Sequence, residues 1–183
     1  LVTDLESASY RVASVSKKEQ HRKPSPPFIT SSLQQEAFRK LGYTTRRTMV
    51  IAQQLYEGVQ LGDEGPIGLI TYMRTDSTNV ATSALDETKR YIKEKFGPNY
   101  APSASRRYTK RVKGAQEAHE AIRPTSVFRE PTLLKPYLNN EQLRLYELVW
   151  KRMLASQMND AIFDSTTLNI DATGGESSKI YNF

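Results

Sequence analysis

The sequence has no cysteine, which excludes disulfide bonds and zinc or iron–sulfur sites ligated by cysteine. It also has no apolar run near the ~18 residues that a membrane-spanning helix needs, and no basic-then-apolar signal peptide at its start. We therefore expect a cytoplasmic protein without a membrane partner. With 183 residues, of which 38% are hydrophobic and 25% charged, the chain has the composition of one large or two small globular domains.

Acidic residues are absent between Lys95 and Gln116, although the whole chain has a net charge of only +6. A basic stretch of this kind suits a polyanion, so we expect nucleic acid as the partner. A solvated charged face without a ligand is the alternative. The candidate contacts to a nucleic acid in this stretch are Arg106, Arg107, Lys110 and Arg111.

The two ends of the chain have the alternating pattern of β-strands. Tyr10, Val12 and Ser14 alternate with Arg11, Ala13 and Val15, and a second alternation runs from Ile162 to Ile170. Between them the patterns are mostly helical. We predict an α+β, mainly α fold: a helical domain of residues 32–159, inserted into a small β-rich domain formed by residues 1–31 and 160–183.

The first two predicted helices form a hairpin that resembles a helix-turn-helix. Ser31 or Ser32 caps the first helix and Gly42 ends it; Thr44 or Thr45 caps the second, which ends at Gly58. An αα-hairpin with no role in DNA binding remains the alternative. The residues predicted to face inward are Leu33, Ala37, Phe38 and Leu41 in the first helix and Met49, Ala52, Leu55 and Tyr56 in the second.

Three more helices are predicted further along the chain. Residues 82–97 have Leu85, Ile92 and Phe96 as their inward face, and a longer helix runs from about residue 140 to 158. Between them, residues 115–125 form a short helix that ends at Pro124. This helix would place His119 and Arg123, four residues apart, on one face as a candidate phosphate-binding pair.

The stretch GLITYMRTDSTN, residues 68–79, turns abruptly from apolar to polar. In an extended segment Tyr72 and Arg74 point to the same side. A phenol with a pKa near ~10 is a poor nucleophile unless its proton is removed or its anion is favoured, and a guanidinium both favours the anion and fits two phosphate oxygens. These residues suggest attack of a tyrosine on a phosphodiester; a surface strand with an ion pair at Arg74 is the alternative.

Three stretches in this order, PPFITSSLQQEA, GLITYMRTDSTN and QEAHEAIRPT, resemble the bacterial type IA DNA topoisomerases. The resemblance implies that Tyr72 is the nucleophile that forms a 5′-phosphotyrosine link to a single DNA strand, which would let the enzyme relax negative supercoils without ATP. It implies that Arg74 stabilises the scissile phosphate, that His119 helps to hold it, and that Arg123 contacts the DNA backbone. The helical domain would be the moving gate and the β-rich domain part of an arch.

The family also needs a Toprim domain, whose Asp-x-Asp cluster binds Mg²⁺, and this sequence contains no Asp-x-Asp. We therefore expect a fragment of a larger enzyme, which binds no metal itself and depends on the remainder of that enzyme, including its Mg²⁺ site.

Two other functions use similar residues. A tyrosine recombinase would have its tyrosine after the histidine and arginine, whereas Tyr72 precedes His119 and Arg123, and it would form a 3′-phosphate link. A helix-turn-helix module without catalysis would bind DNA through residues 31–57, but no side chain that reads bases can be identified there.

Overall fold

The computed structural model describes residues 2–108, 119–173 and 180–182. The chain divides into two units: a ribbon unit made of Leu1–Lys23 and Asp160–Phe183, and a helical unit of Pro24–Asn159. The predicted α+β fold is confirmed. The elements are α1 (Val2–Glu6), β1 (Ser9–Arg22), α2 (Thr30–Leu41), α3 (Thr45–Glu57), β2 (Val59–Gln60), β3 (Pro66–Ile67), α4 (Thr82–Phe96), α5 (Pro131–Leu134), α6 (Asn140–Ser156), β4 (Ala161–Thr173) and β5 (Ile180–Asn182).

The boundary between the first segment of the ribbon unit and the helical unit lies after Lys23, eight residues before the predicted boundary at residue 31. The difference arises because Phe28, which follows the PSPP segment, is completely buried in the core of the helical unit. Its backbone carbonyl also accepts the Ile122 N–H at 2.8 Å. The assignment of the two units as parts of an arch and a gate stays a prediction.

The ribbon unit is built on β1 and β4, which pair antiparallel from Arg22 opposite Ala161 to Ser9 opposite Thr173. Strand β5 extends the sheet on the other side of β4, in the order β1-β4-β5. All the residues of β1 and most of those of β4 are exposed.

A β-bulge between Val12 and Ser14 changes which residues of β1 share a face. Val12 lies opposite Ile170 and Val15 lies opposite Leu168. Because Ile170 and Leu168 are two residues apart on β4, Val12 and Val15 are on the same face of the ribbon. The predicted alternation, which separated Val15 from Val12, is therefore wrong beyond the bulge.

The hairpin of α2 and α3 follows its local sequence signals closely. Gly42 has φ +71, and its N–H donates to the Phe38 carbonyl, so it ends α2 in the left-handed geometry that glycine favours. Thr44 caps α3 by accepting the Arg47 N–H, and Gly58 ends that helix. These stops and the second cap are confirmed, whereas α2 begins at Thr30, before either predicted serine cap.

Three aromatic residues that were predicted to face inward are exposed. Phe38 is 65% exposed, Tyr56 40% and Phe96 44%, so the prediction is wrong for all three. Phe38 follows the buried Ala37 directly but lies about 100° further around the helix axis, outside the part of α2 that packs in the core.

Helix α6 is the central element of the helical unit. Its buried residues Tyr146 and Val149 pack with α2, α3 and the stretch around Ile70, whereas Met153 packs in a second cluster with α4. Trp150 contacts both clusters from a partly buried position. The Tyr146 hydroxyl donates to the Arg129 carbonyl at 2.6 Å, and burial raises the pKa of this tyrosine, so it stays neutral in the core. In the part of the chain that is described, no helix is long and apolar enough to cross a membrane.

Candidate active site

Buried residues before and after Tyr72 fix its stretch to the rest of the helical unit. Leu69, Ile70 and Met73 are almost completely buried, and the Leu69 N–H donates to the Leu55 carbonyl of α3 at 2.7 Å. Tyr72 is 39% exposed, and Arg74 is exposed as well. The two side chains therefore emerge on the outer side of a backbone whose inner side is packed.

Residues 119–125 run in an extended conformation beside this stretch. Ile122 forms an isolated antiparallel bridge with Phe28, and Pro124 forms one with Ile70. The Thr71 N–H donates to the Arg123 carbonyl at 2.9 Å. The predicted helix is therefore wrong for residues 119–125, because neighbouring segments satisfy the backbone groups that a helix would use; residues 115–118 lie outside the described residues.

The extended segment brings His119 to Tyr72, with 6.1 Å between the two ring centroids. His119 and Arg74 also line one cavity of about 430 Å³, so the structure brings Tyr72, Arg74 and His119 together. The remaining residues that line this cavity are Ile29, Thr30, Ser31, Gln34, Thr75 and Asp76.

The start of α2 is joined directly to the backbone after Tyr72. The Thr30 N–H donates to the Thr75 carbonyl at 2.9 Å, and the Thr30 hydroxyl oxygen accepts the Thr75 N–H at 2.9 Å. The same hydroxyl lies 2.8 Å from the Met73 carbonyl oxygen. The positive end of α2 therefore borders the cavity that Arg74 and His119 line, an arrangement that favours an anion such as phosphate.

Arg123 does not share a helical face with His119, because no helix forms there. Its guanidinium pairs with Glu120 at 2.6 Å and donates to the Pro124 carbonyl at 2.9 Å, and the side chain is only 11% exposed. These contacts give Arg123 a role in holding the extended segment. A contact of Arg123 with DNA stays a prediction.

The basic stretch is only partly described. Arg106 donates from its side chain to the Met158 carbonyl at 2.9 Å, and Arg107 donates to the Thr82 hydroxyl at 3.2 Å. Lys95 pairs with Glu130 at 2.8 Å and lowers the pKa of that carboxyl. Lys110 and Arg111 lie outside the described residues. The DNA contacts proposed for this stretch stay predictions.

Within residues 2–108, 119–173 and 180–182, no group of three or more histidine, aspartate or glutamate side chains is placed to hold a metal ion.

The sequence predicts no functional role for four residues that lie near the site: Thr30, Ser31, Gln34 and Tyr56. The first three lie in PPFITSSLQQEA, one of the stretches that carry the family resemblance, so the signal was present without a geometry to interpret it. For Tyr56 the sequence signal was misleading, since its spacing on α3 predicts a core position. Its ring instead lies edge-on to the ring of Tyr72, with 5.4 Å between the centroids.

Gly68 allows the stretch to approach α3. A Cβ atom at this position would lie 2.7 Å from the Tyr56 carbonyl oxygen, closer than real contacts allow. We expect Gly68→Ala to lower the free energy of unfolding by about 1–3 kcal/mol, the usual cost of overpacking, as measured by urea denaturation. The control is Gly42→Ala, whose added methyl would meet no atom within 4 Å, so its cost is that of the backbone conformation alone. An unchanged urea midpoint for Gly68→Ala would contradict the close approach.

Comparisons with known proteins show the family to which the chain belongs. The sequence model of the DNA topoisomerase family matches residues 1–182. DNA topoisomerase 1 of Xylella fastidiosa is 58% identical over 165 residues, which cover 90% of this chain and 20% of that protein. DNA topoisomerase 1 of Rickettsia bellii is 50% identical over 181 residues, covering 99% of this chain and 22% of that protein.

The solved structure of full-length topoisomerase I from Thermotoga maritima matches with a TM-score of 0.78 and 43% identity, covering 94% of this chain and 26% of that one. The chain therefore belongs to the DNA topoisomerase family, and the resemblance inferred from the three motifs is confirmed. It spans about a fifth of the length of the curated relatives it matches. Neither a tyrosine recombinase nor a helix-turn-helix module without catalysis finds support in these comparisons.

Proposed function

We propose that this chain is the part of a type IA DNA topoisomerase that carries the nucleophile, and that Tyr72 attacks a phosphodiester of a single DNA strand. The observation that carries the proposal is the exposed ring of Tyr72 against His119, next to the cavity that His119 and Arg74 line. The membership in the DNA topoisomerase family supports it. The cytoplasmic location expected from the sequence belongs to the same proposal.

In the proposed step, the Tyr72 hydroxyl oxygen bonds to phosphorus as the bond from phosphorus to the 3′ oxygen of the upstream piece breaks. The phosphate stays on the 5′ oxygen of the downstream piece, which is then joined to the enzyme through a 5′-phosphotyrosine link. One proton leaves the phenol and one is gained by the 3′ oxygen, so the step is balanced and reverses when that oxygen attacks the phosphotyrosine. The link conserves the energy of the broken bond, which allows religation without ATP.

Arg74 is the group of this chain best suited to stabilise the phosphate. Its planar guanidinium is always charged and can donate two parallel hydrogen bonds to phosphate oxygens. It lines the same cavity as the start of α2, whose positive end adds to the attraction. His119, which lines the same cavity and contacts the ring of Tyr72, acts as a donor to the phosphate region.

The remaining roles concern the wider enzyme. We propose that Arg106, Arg107, Lys110 and Arg111 contact the backbone of single-stranded DNA, that the helical unit is the gate, and that the ribbon unit belongs to an arch. The Mg²⁺ ligands would come from the remainder of the enzyme, a Toprim domain outside this chain. Restraining the helical unit against that remainder should block strand passage but preserve cleavage, which relaxation and cleavage assays on the same sample would separate.

The full-length enzyme tests the chemistry through Arg74→Lys. The substitution keeps the charge but loses the paired hydrogen bonds, so we expect the single-turnover cleavage rate to fall about tenfold to a hundredfold. The assay is denaturing electrophoresis of end-labelled single-stranded oligonucleotides, which separates DNA with attached protein from free pieces.

The control is Arg46→Lys, at an exposed arginine near the start of α3 that does not line this cavity. We expect this variant to cleave like the wild type. Protein attached to a 3′-phosphate, or equal losses in the two variants, would overturn the proposal.

A further inference from the structure

Tyr56 belongs by its spacing to the apolar face of α3, but its side chain is not buried. It lies in the last turn of α3 and is 40% exposed, although its spacing in the sequence predicts a buried position. Its ring is not isolated, since it lies edge-on to the ring of Tyr72 at 5.4 Å between centroids, with 63° between the ring planes. This is a favourable geometry for two aromatic rings.

The backbones that carry the two rings are fixed to each other. Gly68 approaches so closely that a Cβ atom there would lie 2.7 Å from the Tyr56 carbonyl oxygen. One residue further on, the Leu69 N–H donates to the Leu55 carbonyl at 2.7 Å. The end of α3 and the start of the stretch with Tyr72 are therefore held against each other, which keeps the backbones that carry the two rings close together.

The side chain of Tyr72 is partly exposed, and its ring contacts two other aromatic rings of the described residues. It is 39% exposed, and none of the described residues hydrogen-bonds to its hydroxyl. Among the described residues, Tyr56 and His119 are the rings that contact it, the latter at 6.1 Å with 31° between the planes. An exposed tyrosine without such neighbours would sample several rotamers, and only some of them would aim the oxygen at a phosphate.

We infer that Tyr56 is a positioning residue for Tyr72: its ring holds the phenol of Tyr72 in the orientation from which the hydroxyl oxygen attacks the phosphate. This inference rests on the proposed role of Tyr72. The ring of Tyr56 acts through the contact alone, without a bond to the substrate, so phenylalanine at this position preserves the effect. Misplacing a reacting group by about 1 Å costs about a hundredfold in rate, so loss of the ring slows the chemistry strongly.

The experiment compares Tyr56→Leu and Tyr56→Phe in the full-length enzyme. The readouts are the single-turnover rates of cleavage and religation of a single-stranded oligonucleotide, its dissociation constant under non-cleaving conditions, and the urea midpoint. The matched control is Phe96→Leu, because Phe96 also lies in the last turn of a helix, is 44% exposed and contacts other rings, those of Tyr91 and Tyr100.

We expect Tyr56→Leu to slow cleavage and religation by similar factors, about tenfold to a hundredfold, with unchanged DNA affinity, because orientation of the nucleophile affects the transition state common to both directions. Tyr56→Phe and Phe96→Leu should retain rates within about twofold of the wild type. A purely structural role would instead lower the urea midpoint and the DNA affinity along with the rates.

Besides that result, three others would overturn the inference while the proposed function stands. They are wild-type rates in Tyr56→Leu, an equal loss in Tyr56→Phe, which would point to the hydroxyl, and an equal loss in Phe96→Leu. A wild-type enzyme that forms no covalent link through Tyr72 would overturn the proposed function and this inference together.

Discussion

In the full-length enzyme, we expect Tyr72→Phe to abolish the covalent protein–DNA link and to leave DNA binding almost unchanged. A phenyl ring has no oxygen to bond to phosphorus, so no covalent intermediate can form. The fold should tolerate the change because the removed hydroxyl has no hydrogen-bond partner among the described residues and the side chain is 39% exposed. The free energy of unfolding should therefore change by no more than about 1 kcal/mol.

The measurement is denaturing electrophoresis after incubation with an end-labelled oligonucleotide, together with a binding titration. Tyr137→Phe is the matched control, since this tyrosine of the helical unit is also exposed, at 46%, and lies outside the cavity beside Tyr72. The control should form the adduct at the wild-type rate. An adduct that persists in Tyr72→Phe would remove Tyr72 from the mechanism.

The largest effect on stability should come from Phe28→Ala. Phe28 is completely buried in the main core cluster, and the Arg152 guanidinium lies 4.3 Å above its ring. Truncation would leave a cavity and remove the ring that Arg152 contacts. This arginine is itself partly buried, and burial lowers its pKa. We expect the free energy of unfolding to fall by about 3–5 kcal/mol, as measured by urea denaturation followed by circular dichroism.

Phe38→Ala supplies the comparison, because it removes the same atoms from a side chain that is 65% exposed. We expect its effect to stay within about 0.5 kcal/mol. The two phenylalanines are ten residues apart in the sequence (38 − 28 = 10) and their apolar character is the same. Similar losses of stability in the two variants would show that the burial of Phe28 is not what stabilises the helical unit.

The sequence predicted well what depends on a few neighbouring residues. Gly42, Thr44 and Gly58 act within one helical turn, through a left-handed backbone or a capping hydroxyl, so their effects can be recognised without knowledge of the fold. The family resemblance identified more of the site residues than the hydrophobic and charge patterns did. Tyr72, Arg74 and His119 were named from motifs, and the structure brings them together around one cavity and one ring contact.

The wrong predictions have a common physical cause. Each concerns a feature that depends on residues distant in the sequence. Residues 119–125 contain good helix formers, but their backbone pairs with Phe28, Ile70 and Thr71, and these contacts outweigh helix propensity. The orientation of Tyr56 depends on Gly68 and Tyr72 in the same way. The bulge next to Val12 depends on pairing with β4, so no alternation within β1 could reveal it.

The pairing of β1 with β4 also sets an order of events during synthesis. Ser9 and Thr173 are neighbours in the ribbon but 164 residues apart in the chain, and translation at about 5–20 residues per second separates them by roughly 10 to 30 seconds. The helical unit emerges complete in that interval. Within it, the Tyr108 hydroxyl lies 3.1 Å from the Pro24 carbonyl oxygen and 2.8 Å from that of Ser156, which brings the two ends of the unit together. Strand pairing can then start at Arg22 and Ala161 and proceed towards Ser9 and Thr173, with little loop-closure entropy left to overcome.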